Sequence, residues 1–78
     1  MANNTLSKEE LAASRNSPGW RLETDAAAHD GTLEDVAKLA HERHVRGEHP
    51  GLIRRVENSV ELDMLQLEAL WYSLGLPV

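Results

Sequence analysis

The side chains in this 78-residue sequence that are best suited to chemistry are histidines, two of which lie three positions apart in the run HERH at 41–44. The run is one residue short of the H-E-x-x-H motif, in which two histidines four residues apart bind zinc from one face of a helix. A pair three residues apart can also share a helical face, and His29 or His49 could complete such a site. No spacing signature supports that set. We therefore expect no metal ion and no cofactor, and we expect these histidines on a helix surface or in the core.

Serine and carboxylate side chains are the other candidates for catalysis, and their positions do not form a catalytic pattern. No serine lies in the strand-turn-helix context of a nucleophile elbow, and none has a base partner defined by its spacing. Carboxylates in the last third could act as acid-base pairs only in a desolvated cleft, which a chain of this length can hardly enclose. They are Glu57, Glu61, Asp63 and Glu68. We expect a protein that is not an enzyme.

Length, charge and composition limit the remaining functions. We expect a disordered N-terminus over 1–6 and one helical domain over 7–78, because a chain of this size supports a single core. The absence of cysteine excludes disulfides and thiolate metal sites and agrees with a cytoplasmic location. No apolar run is long enough to span a membrane, and the N-terminus is polar. The net charge of −5 disfavours nucleic acid and anionic membranes as partners.

The last third of the chain organises the rest, because apolar residues recur every three or four positions over 52–74. At about 100° per residue, this spacing predicts one long helix with a core-facing stripe. The stripe consists of Ile53, Val56, Val60, Met64, Leu67, Trp71 and Leu74. A second apolar set lies on the opposite side of that helix and consists of Leu62, Leu65, Ala69 and Tyr72. One helix cannot bury both faces in a thin core, so the second set must contact another part of the chain, a second copy or a partner protein.

A short helix is predicted near the N-terminus. Ser7 with Glu10 fits a capping box, so the helix should begin at Lys8 and end before the Ser-Pro-Gly turn that follows. After the turn, Trp20 and Leu22 should anchor this segment on the core, because the chain has only two tryptophans and no phenylalanine.

The middle of the chain predicts another helix. The Ala-rich stretch 25–29 could form a helical turn, which the following Asp-Gly pair would end. Thr32 with Asp35 fits a helix start, and the helix should extend over 33–46. No segment shows sustained alternation of apolar and polar residues. The predicted fold class is therefore all-α: a small helical domain with a short N-terminal helix, a middle helix and a long C-terminal helix.

The middle segment also raises the alternative of a small helix-turn-helix-like DNA-binding regulator. The run TLEDVAKLA at 32–40 resembles the first helix of that motif in LacI-type repressors, and Arg43 and Arg46 would supply positive charge. That family continues with a glycine, a short turn and a Ser/Thr-rich recognition helix, whereas this chain continues helical and charged. The match covers the scaffold helix and not a base-reading helix.

The stretch 53–62, IRRVENSVEL, resembles the C-terminal helix of the TraM family of quorum-sensing antiactivators, which has the pattern I-R-x-I-E-x-S-I-E-M. A later Leu-Gly followed by a proline in that family resembles the run LGLP at 74–77. The size and helical layout are also similar to antiactivators of the QseM type from mobile symbiosis islands. The resemblance covers the last third of the chain. It implies a cytoplasmic antiactivator of conjugative element transfer that binds a LuxR/TraR-type activator or an FseA-type excision activator.

An antiactivator needs an apolar contact surface rather than an active site, and the second apolar set together with the apolar C-terminal tail offers one. The residues expected to bind the partner protein are Leu62, Leu65, Ala69, Tyr72, Leu76 and Val78. Trp71 belongs to the core-facing stripe, so we assign it to packing. Packing of the second set against the first helix or Trp20, and a homodimer seam, are the alternatives.

Overall fold

Three helices pack with a three-stranded antiparallel sheet in a computed structural model that describes residues 8–77. In chain order the elements are α1 (Lys8–Ala13), β1 (Trp20–Glu23), β2 (Ala28–Gly31), α2 (Leu33–Val45), β3 (Leu52–Arg55) and α3 (Met64–Ser73). The strand order is β2-β1-β3, so β1 is the central strand. A first helix is present where one was predicted, and it ends before the Ser-Pro-Gly turn. The segment 1–6 that was predicted to be disordered, and Ser7 of the predicted capping box, lie outside the described residues.

The all-α prediction is wrong, because residues on both sides of α2 form the sheet. Strand β1 alternates buried and half-buried residues, with Trp20 and Leu22 directed into the core. An alternation over four residues is too short to be distinguished in the sequence from an irregular segment. The fold is α/β with an antiparallel sheet, and Trp20 and Leu22 do pack in the core as expected.

The Ala-rich stretch 25–29 forms part of a β-hairpin rather than a helical turn. Residues 24–27 connect the strands, and the Thr24 hydroxyl accepts hydrogen bonds from the amide N–H groups of Ala26 and Ala27 at 3.2 and 3.0 Å. The amide N–H of Thr24 in turn donates to the Ala27 carbonyl at 2.8 Å. Alanine favours a helix, but this side-chain acceptor offers the backbone an alternative, and the hairpin pairing with β1 prevails.

The prediction of one long helix over 52–74 is wrong for the first half of that range, where the chain forms β3 and a turn. Strand β3 pairs with β1 in antiparallel register, which places Ile53 opposite Leu22. Both side chains are buried, so this cross-strand pair is part of the core. The pairing partner lies far away in the sequence, and local periodicity carries no information about it.

The second half of the predicted helix is present but begins later. A turn after β3 contains Ser59 with a positive φ of 60°, and its amide N–H donates to the Arg55 carbonyl at 2.8 Å. Helix α3 begins at Met64, behind a capping box in which Asp63 and Gln66 each accept the other's backbone N–H. The apolar residues that recur over 52–74 thus belong in succession to a strand, a turn and a helix.

The middle helix and the end of the last helix lie where the sequence predicted them. Helix α2 begins at Leu33, because the Thr32 hydroxyl accepts the Asp35 N–H at 3.1 Å and the Asp35 carboxylate accepts the Thr32 N–H at 3.4 Å. Helix α3 ends at Ser73, and Gly75 follows it.

The core lies between the inner face of the sheet and helices α2 and α3. Trp20 and Trp71 are fully buried, and they are the largest side chains in the core. The Trp71 indole Nε1 donates to the Ala37 carbonyl at 2.9 Å, so this side chain links α3 to α2 by a buried hydrogen bond. Helix α1 joins the core through Leu11 and packs against α3. These contacts fix the inward side of α3 and leave its other side towards solvent.

Candidate functional site

Three of the six residues expected to bind a partner do not lie on an open surface of the described chain. Leu62 is 6% exposed and belongs to the core. Leu76 is half-buried and packs against the core, and its amide N–H donates to the Trp71 carbonyl at 2.9 Å, so the apolar tail folds back. Val78 lies outside the described residues.

The other three expected residues form one continuous strip on α3. Leu65 is 77% exposed and Tyr72 is 81% exposed, and these are the most exposed large apolar side chains in the described part of the chain. Ala69, four residues after Leu65 and three before Tyr72, lies between them on the same helical face. We call this strip of Leu65, Ala69 and Tyr72 the α3 outer face. Single exposed apolar residues are common, but two large ones on one face make that face a candidate contact surface.

A groove between α1 and α3 adjoins the α3 outer face. Its volume is about 360 Å³, and its lining is Glu9, Leu11, Ala12, Ala69, Leu70, Tyr72 and Ser73. Ala69 and Tyr72 line the groove and also belong to the outer face, so the two form one surface. The contribution of α1 corresponds to the alternative, left open in the sequence analysis, that the second apolar set packs against the first helix. Leu11 could be recognised there as an apolar residue near the helix start, but no local pattern shows that α1 packs on α3.

Two carboxylates stand at the sides of this surface. Glu9 lines the groove from α1. Glu68 is three residues after Leu65 and four before Tyr72, which places it along the outer face on the side away from α1. Neither carboxylate has a hydrogen-bond or ion-pair partner within residues 8–77. The surface therefore combines apolar side chains with uncompensated negative charge.

The arginines of the DNA-binding alternative are neutralised within the protein. Arg43 contacts Asp25 at 3.4 Å and Glu48 at 3.2 Å, and Arg46 contacts Glu48 at 3.1 Å. Further ion pairs are Arg15–Glu34, Lys38–Glu34, Arg21–Asp30, Arg54–Glu23 and Arg54–Glu61. Arg43 and Arg46 thus present little free positive charge to a phosphate backbone. Helix α2 is moreover followed by strand β3 and not by a second helix at a short turn.

The HERH run does not converge on an ion. His41 is buried, donates from Nε2 to the Pro77 carbonyl, and lies edge-on to the Trp71 ring with 5.3 Å between centroids. His44 lies over the same indole at 4.8 Å. His49 is exposed, and its Nδ1 accepts the Gly51 N–H at 3.0 Å. Within residues 8–77, no group of three or more histidine, cysteine or carboxylate side chains could hold a metal ion.

The ion pairs give an expected acid dependence of stability. Glu34 accepts from Lys38 at 2.9 Å and from Arg15 at 3.0 Å, and these contacts, with that of Lys38 first, lower the pKa of the Glu34 carboxyl from its usual value of 4.5. Because the pKa of Glu34 is lower in the folded state than in the unfolded state, the ionised carboxylate contributes to the free energy of unfolding above about pH 4.5. This contribution is lost as the pH falls through the folded-state pKa. Glu34→Gln should therefore show a smaller fall in urea midpoint between neutral and acidic pH.

Glu42→Gln on the same helix is the matched control, because Glu42 is exposed and has no partner in the described residues. Its urea midpoint should depend on pH as in the wild type. Equal pH dependence in all three proteins would contradict a stabilising role for the Glu34 contacts. The effect is small, because the group is close to solvent and screened by it.

These features define a small α/β protein whose distinctive surface is an apolar face on one helix, bordered by a groove and by free carboxylates. No helix within residues 8–77 combines the length and apolar content needed to cross a membrane. Comparison with known proteins found no match to this chain among family models, curated proteins or solved structures.

Proposed function

We propose that this chain is a non-enzymatic antiactivator that binds a transcriptional activator and so represses transfer of a mobile genetic element. The activator is of the LuxR/TraR quorum-sensing type or of the FseA excision type. The α3 outer face makes the contact, and the bound activator is occluded or displaced from DNA. The protein is cytoplasmic in this proposal, as its activator partner would be.

The observation that carries the proposal is the exposure of Leu65 and Tyr72 on one helical face. Burial of a side chain of this size in an interface contributes about 1.5–3 kcal/mol. Tyrosine is enriched among the residues that dominate binding energy, because it buries a large rigid ring and retains a polar tip. Both residues project from a helix that the core already fixes, so little ordering entropy is lost on binding.

The sequence resemblance to TraM- and QseM-type antiactivators supplies the class of partner. The helical part of the TraM resemblance does not carry over, because the matched stretch 53–62 forms β3, a turn and the approach to α3 in this fold. Support for the proposal therefore comes from the outer face and from the sequence pattern itself, and not from a shared long helix. The neutralised Arg43 and Arg46 favour a protein partner over DNA.

Substitution of the outer face tests the proposal. Leu65→Glu and Tyr72→Glu should each weaken binding to a purified LuxR/TraR-type or FseA-type activator by about a hundredfold or more, because a buried unpaired carboxylate replaces an apolar contact. Helicity and thermal unfolding should be unchanged, since both side chains are exposed. The measurement is solution mass by light scattering over a concentration series, combined with a calorimetric titration of the activator.

Val45→Glu is the matched control, because Val45 is 62% exposed, belongs to α2, and is part of neither the α3 outer face nor the groove lining. This variant should bind as tightly as the wild type. A wild-type protein that forms a stable dimer and no complex with either activator would refute the antiactivator role. Duplex DNA binding that weakens with salt and is lost in Arg43→Ala and Arg46→Ala would favour the DNA-binding regulator instead.

A further inference from the structure

The charges around the α3 outer face indicate what kind of surface it accepts. Glu9 on α1 stands across the groove, and Glu68 on α3 stands along the other side of the strip. The apolar side chains thus lie between two carboxylates that have no partner in the described part of the chain. Among the cations whose side chains the structure describes, Lys38 and five arginines form ion pairs with other carboxylates, and Arg55 stacks at 5.3 Å over the ring of Trp20. A bound molecule that carries positive charge would compensate Glu9 and Glu68.

The shape of the surface fits a short helix as the bound element. The groove runs between two helices, and grooves of this kind accept the apolar side of an amphipathic helix. Helix α3 has 10 residues and is therefore about 15 Å long. A bound helix of two to three turns matches this length. The small side chains of Ala12 and Ala69 in the lining leave room for one aliphatic anchor.

We propose that the groove and the α3 outer face bind a basic amphipathic helix of the partner protein. An aliphatic side chain of that helix enters the groove between Ala12 and Ala69, and lysines or arginines on its two flanks contact Glu9 and Glu68. This inference rests on the proposed function, because both use the α3 outer face. It adds the chemical character of the partner's contact element.

Charge disfavours a second copy of this chain, relative to a basic helix, as the molecule bound at the α3 outer face. A two-fold symmetric seam brings the same patch of both copies together, so the free carboxylates of one copy would approach those of the other. Like charges that face each other across an interface oppose association. A basic helix instead neutralises both carboxylates, and the opposite charges speed its encounter with the protein.

A charge-swap experiment with synthetic peptides tests the inference without any activator. The probe is a helical peptide of about 14 residues with leucines three or four positions apart and lysines on both sides of them. Its matched control has glutamate in place of each lysine. Amide shifts in the protein's nitrogen-15 spectrum report where each peptide binds, at about 50 mM and 300 mM sodium chloride.

The lysine peptide should shift Ala12, Ala69 and Tyr72, and its affinity should fall at the higher salt concentration. The double variant Glu9→Lys/Glu68→Lys should bind the lysine peptide about tenfold more weakly and the glutamate peptide more tightly than the wild type does. Glu42→Lys changes the net charge by half as much on an exposed, unpartnered site of α2, and it should leave the shift pattern and the peptide preference unchanged.

Three outcomes would overturn the inference: no shifts in the groove, equal affinity for the two peptides, or doubling of the solution mass through the outer face. Its failure is separable from failure of the proposed function. Loss of activator binding in Leu65→Glu, with no effect of the charge swap on either peptide, would retain the antiactivator and reject the basic helix. If the protein shows the expected peptide preference but binds neither activator, the basic-helix inference would stand and the antiactivator role would be rejected.

Discussion

Replacement of Trp71 by alanine should leave the protein unfolded at 25 °C. The indole is fully buried, donates to the Ala37 carbonyl at 2.9 Å, and is flanked by the rings of His41 and His44. Truncation of a buried tryptophan costs about 3–5 kcal/mol. A domain of this size without disulfides or metals has about 3–5 kcal/mol of stability in total. Circular dichroism should therefore show loss of helicity and no cooperative urea transition.

The neighbouring residue provides the control for this variant. Tyr72→Ala removes an aromatic ring of similar size from a position that is 81% exposed, and its unfolding free energy should stay within about 0.5 kcal/mol of the wild type. Trp71→Phe keeps an apolar ring but loses the hydrogen bond to Ala37, and it should fold with reduced stability. A cooperative transition of Trp71→Ala at the wild-type midpoint would contradict the assignment of this residue to the core.

Gly51→Ala should be the second most damaging substitution. Gly51 leads into β3 with a φ of +101°, and a Cβ atom there would lie 2.8 Å from the Glu23 carbonyl oxygen and 2.8 Å from Leu22 Cδ1. Backbone strain and the steric clash are separate costs, and together they amount to about 2–4 kcal/mol. The clash is with the backbone of β1, so relief requires β3 to move away from its partner strand. The urea midpoint should fall steeply.

Gly47→Ala separates the two costs. Gly47 also has a positive φ, of +80°, but no atom lies within 4 Å of a Cβ built there. This variant bears the strain alone and should lose only about 1 kcal/mol. Equal losses in the two variants would show that the clash at Gly51 is relieved without cost, contrary to the close approach of β1 and β3.

The parts of the fold that the sequence predicted are those encoded by adjacent residues. Helix α2 was predicted because Thr32 and Asp35 cap each other across one turn, and the end of α3 because Gly75 interrupts an apolar pattern. The sheet was not predicted, because its strands of four residues exist only through pairing with distant segments. Leu22 opposite Ile53 is one such pair, and the sequence around neither residue predicts this pairing.

The candidate surface was predicted in part. Its helical face follows from local spacing, whereas its groove depends on contacts between distant segments. Leu65, Ala69 and Tyr72 lie within one true helix, so their shared face follows from a period of 3.6 residues. Leu62 was included only because the predicted helix extended back past Asp63, which is the N-cap residue before the first residue of α3. The groove needs α1 as its second wall, and the packing of α1 on α3 is a tertiary contact that local patterns do not record.

The inward side of α3 is under selection for stability of the fold, whereas its outward side is under selection for contact with a partner. Trp71 and Leu70 pack in the core, whereas Leu65 and Tyr72 contribute little to it, although all four residues belong to a single helix. Substitutions at the outer positions can therefore accumulate without loss of the folded population. A lineage of such proteins can acquire a new partner by change at a few surface positions, while the buried framework stays the same.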